Sequence, residues 1–162
     1  SLLEDVASQQ KSFIAILAGV ALDQGLLDIG KPVSAYVGPG WTRAASATES
    51  NITVRHLLEM TPGLREDLSV EAEPGRRFFY NTPAYAVTKR VLEQAAGLPL
   101  DELTRRWLTE PLGMGQTAWR QRPPPLPPRI RGHVRRRPPG RAPMTAVPDQ
   151  KAAAGGGVYR RS

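Results

Sequence analysis

Apolar residues recur through the first two thirds of the chain in short blocks, divided by Gly, Pro and polar turns. In the longest block Ile14, Leu17, Ala18, Ala21 and Leu22 recur at helical spacing. Residues 8 to about 24 are therefore predicted helical, with Gly25 as the stop. Leu26 to Val33 reads as an ordered loop with buried apolar anchors, and Gly38 to Asn51 as irregular structure. Thr53 is placed to cap a short helix from Val54 to Met60, which Thr61-Pro62-Gly63 ends. Residues 65–75 are acidic and turn-like, and the aromatic run Arg76 to Tyr80 suits a strand. Thr82 and Pro83 read as the N-cap and first position of a helix to Ala96, stopped by Gly97. A last helix opens at Pro99 and Asp101 and continues to Pro111.

The pattern ends at Trp119. Residues 121–141 hold seven prolines and seven arginines, too little apolar surface to offset the entropy of ordering. Three regions follow: 1–119, a folded domain; 120–151, a Pro/Arg-rich segment expected to be extended or disordered; and 152–162, where ordinary protein composition resumes. Charge follows the same division. Residues 1–119 carry 11 Lys/Arg against 14 Asp/Glu, a balance of −3, whereas 120–162 carry 11 Lys/Arg against Asp149 alone, a balance of +10. The overall +7 is a property of the tail.

An apolar content of 40% is enough for one core. The longest apolar run, Phe13 to Leu22, falls short of the about 20 residues that span a bilayer. Glu4 and Asp5 stand where a secretory leader would be basic, and the compartment is not legible. Without cysteine there are no disulfides and no thiolate metal sites, and His56 and His133 are the only imidazoles. No metal and no other cofactor is expected.

Candidate chemistry lies at the start of the first helix. Ser8-Gln9-Gln10-Lys11 stacks a hydroxyl and an amine on one helix face, one of the ways to make a nucleophile. Chance alone gives about 0.2 such pairs in this composition, and a serine before a helix is most often a cap. Lys11 bears on the choice. A capping box wants Glu or Gln at that position, and a cation at the positive helix end costs about 0.3–1 kcal/mol. The same placement disfavours the ammonium, and a neutral Lys11 could accept the Ser8 proton. The Ser8 backbone N–H could then help to hold an oxyanion.

Five blocks in order resemble the serine β-lactamase-like hydrolases, the family of class C β-lactamases, low-molecular-mass penicillin-binding proteins and related esterases. They are Ser8-Gln9-Gln10-Lys11-Ser12-Phe13, then Asp23 to Asp28 with Pro32-Val33, and Ile52-Thr53-Val54-Arg55-His56-Leu57-Leu58-Glu59-Met60-Thr61-Pro62-Gly63-Leu64. Glu73-Pro74-Gly75 with Phe79-Tyr80-Asn81-Thr82-Pro83-Ala84-Tyr85, and Glu110-Pro111-Leu112-Gly113-Met114, complete the set. The resemblance implies an α+β fold of which the chain holds mostly the helical region, with most of the antiparallel sheet missing. It implies Ser8 as acyl-accepting nucleophile, Lys11 as its general base and Tyr80 as proton relay to the leaving group. Thr82 falls at the substrate-binding third position of the Tyr-x-Asn element, where the family has Asn. The small-molecule substrate implied is a β-lactam, an ester or a D-amino-acid peptide. His56 lies in a matching block but at no catalytic position, and reads as helix packing.

The family's Lys-Ser/Thr-Gly or His-x-Gly strand, which supplies the second oxyanion N–H, has no counterpart after any lysine or histidine of this chain. The strands expected before Ser8 are likewise missing, so weak or absent turnover is expected. For the tail three readings stand. Arg135-Arg136-Arg137 could contact phosphates, although no aromatic is there to stack on bases, so nucleic acid is not the favoured partner. Pro124-Pro125-Leu126-Pro127-Pro128-Arg129 could dock on a proline-recognising module, giving a non-catalytic alternative for the whole chain. The favoured reading is a frame-shifted stretch, because Ala153-Ala154-Gly155-Gly156-Gly157-Val158-Tyr159 again resembles the family.

Overall fold

The computed structural model describes residues 3–121 and 157–161. Its longest elements are two helices, α1 (Gln10–Asp23) and α5 (Thr82–Ala96), packed against each other. Between them come three short helices, α2 (Ser34–Val37), α3 (Ser46–Glu49) and α4 (Val54–Leu58). After α5, α6 (Leu100–Thr104) runs into a π-helical turn, Arg105–Thr109. Strands β1 (Leu3–Asp5), β2 (Thr117–Arg120) and β3 (Gly157–Arg161) form one antiparallel sheet in the order β1-β3-β2. In register, Asp5 faces Tyr159 and Ala118 faces the same residue from the other side. The fold is α+β, mostly helical.

The core follows the predicted apolar positions. Ile14, Leu17, Ala18 and Ala21 of α1 are buried, against Val87, Val91 and Leu92 of α5 and Ile52, Leu57 and Leu64 between them. Leu22, expected on the same face, is 46% exposed. The helix ends one residue later, and Gly25 takes the left-handed conformation (φ +71°) that its position after the helix demands. Leu27 and Val33 are the buried anchors of the loop that follows, and Gly97 closes α5 at φ +64°. The apolar pattern therefore marks the buried face, with Leu22 as its exception.

Several boundaries differ from the reading of the sequence. The stretch from Gly38 to Asn51 contains α3 and is ordered by Glu49, a buried carboxylate. Its oxygens accept from the Gly40 N–H (2.7 Å), the Thr42 N–H (3.0 Å) and the Thr42 hydroxyl (2.6 Å). Burial alone would raise its pKa, but these bonds outweigh burial and hold it below the ordinary value. Helix α4 is shorter than expected. Thr53 caps it as predicted, accepting from the His56 N–H (3.4 Å), and His56 Nδ1 accepts in return from the Thr53 N–H (3.2 Å). His56 thus does the work of the Glu or Gln of a capping box rather than simply packing.

Arg76 to Tyr80 does not form a strand. It is tethered instead by two bonds, Arg76 N–H to the Glu73 carbonyl and Phe79 N–H to the Met60 carbonyl, and has no ladder partner among the described residues. Gly63 lies in the loop it follows. A Cβ there would collide with the Ala72 carbonyl, so the close approach of those two backbones requires glycine. The cap of α5 is Asn81, not Thr82. Arg105 and Arg106 form a solvated face, paired with Glu102, whose carboxyl is pulled down to about 2 by Arg105 and then Arg106.

The Pro/Arg-rich stretch from 122 to 150 lies outside the described residues, as do Arg135-Arg136-Arg137 and the Pro124–Arg129 run. The end of the chain is part of the sheet: β3 is its central strand, pairing with residues on both sides of the helical region. A short strand, β1, also stands immediately before the Ser8 turn.

Candidate active site

Ser8 sits in a single 3-10 turn, Ala7–Gln9, between β1 and α1. The capping role open to it from sequence is not the one it takes. The residue at the cap of α1 is Gln9, which is itself helical, and no side chain closes either helix start. The turn is set by Ala7, whose φ of +46° is left-handed, and by the Ala7 N–H donating to Asp5 Oδ1 (2.8 Å). A left-handed alanine costs about 1–2 kcal/mol, and such strain tends to collect at functional sites. Ser8 is left exposed at the surface of this turn.

Lys11 lies in the first turn of α1, half-buried. Its Nζ stands 4.9 Å from the centre of the Tyr80 ring and 6.0 Å from that of Tyr85. Both are within cation–π range, so two aromatic faces offset part of the unfavourable helix end. Tyr80 closes the irregular stretch before α5 and is 48% exposed, so it is not the core aromatic that its neighbours Phe78 and Phe79 would suggest. Its phenol pKa lies below the ordinary tyrosine value. The hydrogen-bonding influence of the Ser8 hydroxyl is the largest cause and that of Lys11 the second, with Lys11 charge adding to them against slight desolvation. The structure thus brings Ser8, Lys11 and Tyr80 together. Thr82 is exposed at the first position of α5, and its hydroxyl makes no hydrogen bond among the described residues.

Two further residues hold this group in place. Asn81 is 1% exposed, and its Nδ2 donates to the Leu64 carbonyl (2.8 Å) and the Arg65 carbonyl (2.9 Å). Its Oδ1 accepts from the Ala84 N–H (3.0 Å), capping α5 directly after Tyr80. Tyr85 is buried, and its hydroxyl donates to the Lys11 carbonyl at 2.9 Å. Burial is the main cause that raises the Tyr85 phenol above the ordinary value, opposite to Tyr80. Sequence reasoning missed both roles. The Asn81-Thr82-Pro83 order offered two cap formers in a row, and nothing local distinguishes them. Tyr85 lay inside a recognised block, but its partner is 74 residues away.

Chemically, a hydroxyl, an amine and an acidified phenol in contact form a path for proton transfer beside a nucleophile. A separate cleft of about 580 Å³ lies between α6 and β2, lined by Asp101, Thr104, Arg105, Glu110 and Trp119, and includes none of the three. Among the described residues no group of His, Asp and Glu is arranged to hold a metal ion, and no helix is long and apolar enough to cross a membrane.

The Beta-lactamase family model matches residues 3–159. No curated protein sequence matches the chain. Among solved structures, the fold is similar to a β-lactamase/D-alanine carboxypeptidase from Yersinia pestis, with 25% identity and a TM-score of 0.62 over 72% of this chain and 40% of that one. It is also similar to a β-lactamase from Mycobacterium bovis, with 27% identity and a TM-score of 0.57 over 73% of this chain and 39% of the other. A third likeness is to the octameric penicillin-binding protein homologue from Pyrococcus abyssi, with 23% identity and a TM-score of 0.61 over 71% and 32%. The chain spans about a third to two fifths of the length of these structures. With the family matched over nearly all its residues and the fold shared over most of those described, this chain belongs to the Beta-lactamase family of serine hydrolases.

Proposed function

We propose that the chain carries the acyl-transfer machinery of a serine hydrolase, with Ser8 as nucleophile, Lys11 as general base and Tyr80 as proton relay. Ser8 Oγ attacks a carbonyl carbon and its proton passes to Lys11 Nζ. The bond to the leaving group breaks as Tyr80 delivers a proton to it, itself resupplied from Lys11. Water then hydrolyses the acyl-Ser8 ester. The observation that carries this reading is the Tyr80 phenol, acidified by Ser8 and Lys11 at once. A phenol so placed gives up its proton more readily than an ordinary tyrosine.

Substrates in the class are β-lactams, esters and D-amino-acid peptides. Solved relatives carry such names: a β-lactamase/D-alanine carboxypeptidase, a D-amino acid amidase and a hydrolase with promiscuous acyltransferase activity. Thr82 offers substrate one hydroxyl where the family pattern has an amide that both donates and accepts. The sequence given holds no Lys-Ser/Thr-Gly or His-x-Gly to supply the second oxyanion donor. Loss of one such donor costs about 10²–10³ in rate, so acylation by this chain is expected to be slow and turnover weak or absent.

The test is labelling of the intact chain with a fluorescent penicillin and with a fluorophosphonate. Covalent label at Ser8 is expected, reduced at least about 1,000-fold in Ser8→Ala. A folded chain that takes no label, or takes it equally after Ser8→Ala, overturns the assignment.

A further inference from the structure

Gln10 and Lys11, the last two residues of the Ser8–Lys11 turn, are gripped by the same face of α5. Tyr85 and Lys89 stand one helical turn apart, about 6 Å along the axis, so their side chains reach out side by side. The Tyr85 hydroxyl donates to the Lys11 carbonyl (2.9 Å), and Lys89 Nζ donates to Gln10 Oε1 (2.8 Å). A first-turn carbonyl already accepts its own helical bond, so the Tyr85 hydroxyl takes the second lone pair and fixes the rotation of α1 about its axis. Lys89 is steadied in turn by the Trp119 ring, 4.4 Å from its ammonium, and Trp119 Nε1 donates to Thr104 Oγ1 (2.8 Å).

The start of the same helix holds Tyr80. Asn81, the residue that caps α5, is tied to the Leu64 and Arg65 carbonyls and so fixes the backbone from which Tyr80 projects. Helix α5 is therefore one rigid bar with the Tyr80 phenol at its start and the Ser8–Lys11 turn clamped along its side. The turn needs an outside clamp, because it has no cap of its own and contains the left-handed Ala7.

We propose that Tyr85 and Lys89 are positioning residues that set the distance between Tyr80 and the Ser8–Lys11 pair from a single face of α5. Neither touches substrate; each acts through the turn it holds. The proposal rests on the assignment of Ser8, Lys11 and Tyr80 above. Its consequences are separable, because the clamp governs the Tyr80 titration whether or not Ser8 is ever acylated.

The experiment uses the full chain as Tyr85→Phe, Lys89→Met, Lys89→Arg and the Tyr85→Phe/Lys89→Met double variant. The titration of Tyr80 is followed through the ¹³C resonance of its phenol carbon, assigned with Tyr80→Phe, and the rate of fluorescent-penicillin labelling is measured at saturating and subsaturating probe. Tyr85→Phe is expected to move the Tyr80 midpoint up toward the ordinary tyrosine value. It should slow the saturated labelling rate about ten-fold while leaving half-saturation unchanged, since a small misplacement of reacting groups is felt in rate before binding. Lys89→Met should act in the same direction by about three-fold, and Lys89→Arg, which keeps a donor, should restore the wild-type values. If folded variants melt at lower temperature but keep both the Tyr80 midpoint and the labelling rate, the two residues are merely structural and the proposal is overturned. If wild type takes no label, the acylation assignment fails while the Tyr80 midpoints still decide the clamp.

Discussion

The two long helices begin in opposite ways, and the candidate site lies between those beginnings. Helix α5 starts on Asn81, buried, with three hydrogen bonds, a proline in the first turn and a true cap. Helix α1 starts on an exposed 3-10 turn with no side-chain cap, a left-handed alanine and a lysine at its positive end. The rules for capping a helix start are obeyed at one and broken at the other. The chemistry-bearing groups Ser8 and Lys11 belong to the start that breaks the rules, while Tyr80 leans on the one that obeys them. Local cost at one helix end is held by a rigid neighbour, which is how strained groups persist in a folded chain.

The difference can be broken from the stable side. Asn81→Ala removes the cap, worth about 1 kcal/mol, and leaves the Leu64 carbonyl without its partner, while the Arg65 carbonyl keeps the Leu68 N–H, so a loss of about 2 kcal/mol is expected. Chemical denaturation of the intact chain measures it, and a loss under about 1 kcal/mol would show that the α5 start is not the anchor described here. From the strained side the sign reverses. Ala7→Gly relieves the left-handed conformation at the expense of added freedom in the unfolded chain, for a net gain of about 0.5 kcal/mol. A clear destabilisation in the same denaturation series would show that the turn is not strained.

The smallest effect is one of pH. Tyr80 titrates below its unfolded value of 10.0 because Ser8 and then Lys11 favour the phenolate. A depressed acid contributes stability that is complete above the unfolded pKa and lost as pH falls through the folded pKa. Stability should therefore rise slightly over the alkaline window just below pH 10, and Ser8→Ala should shrink that rise. Denaturation midpoints taken across this window, beside the ultraviolet titration of the phenol, decide the point; an equal rise in both proteins removes Ser8 from the account.

How far the sequence could be read depended on the range of the interaction. Elements fixed by neighbours in sequence were legible: α1 and its Gly25 stop, the Thr53 cap, and α5 with Gly97. The strand expected at Arg76–Tyr80 failed because a strand needs a partner, and that segment is tied by single bonds to Met60 and Glu73 instead. The shift of the α5 cap from Thr82 to Asn81 had the same origin. Both residues suit the position, and only the Leu64 and Arg65 carbonyls, brought in by a loop 16 and 17 residues earlier, select Asn81.

For the candidate site, sequence supplied the candidates. Ser8, Lys11 and Tyr80 were named from their spacing and from the blocks around them, and the family from the order of those blocks. Tertiary structure decided what holds them: that Ser8 does not cap its helix, that Tyr80 is acidified by both partners, and that Tyr85 and Lys89 grip the turn from α5. The reason is physical. A residue's chemistry and its local backbone preference are written in the residues beside it, whereas contacts between Lys11 and Tyr85 or Gln10 and Lys89 join positions more than 70 apart and exist only once α1 has packed on α5.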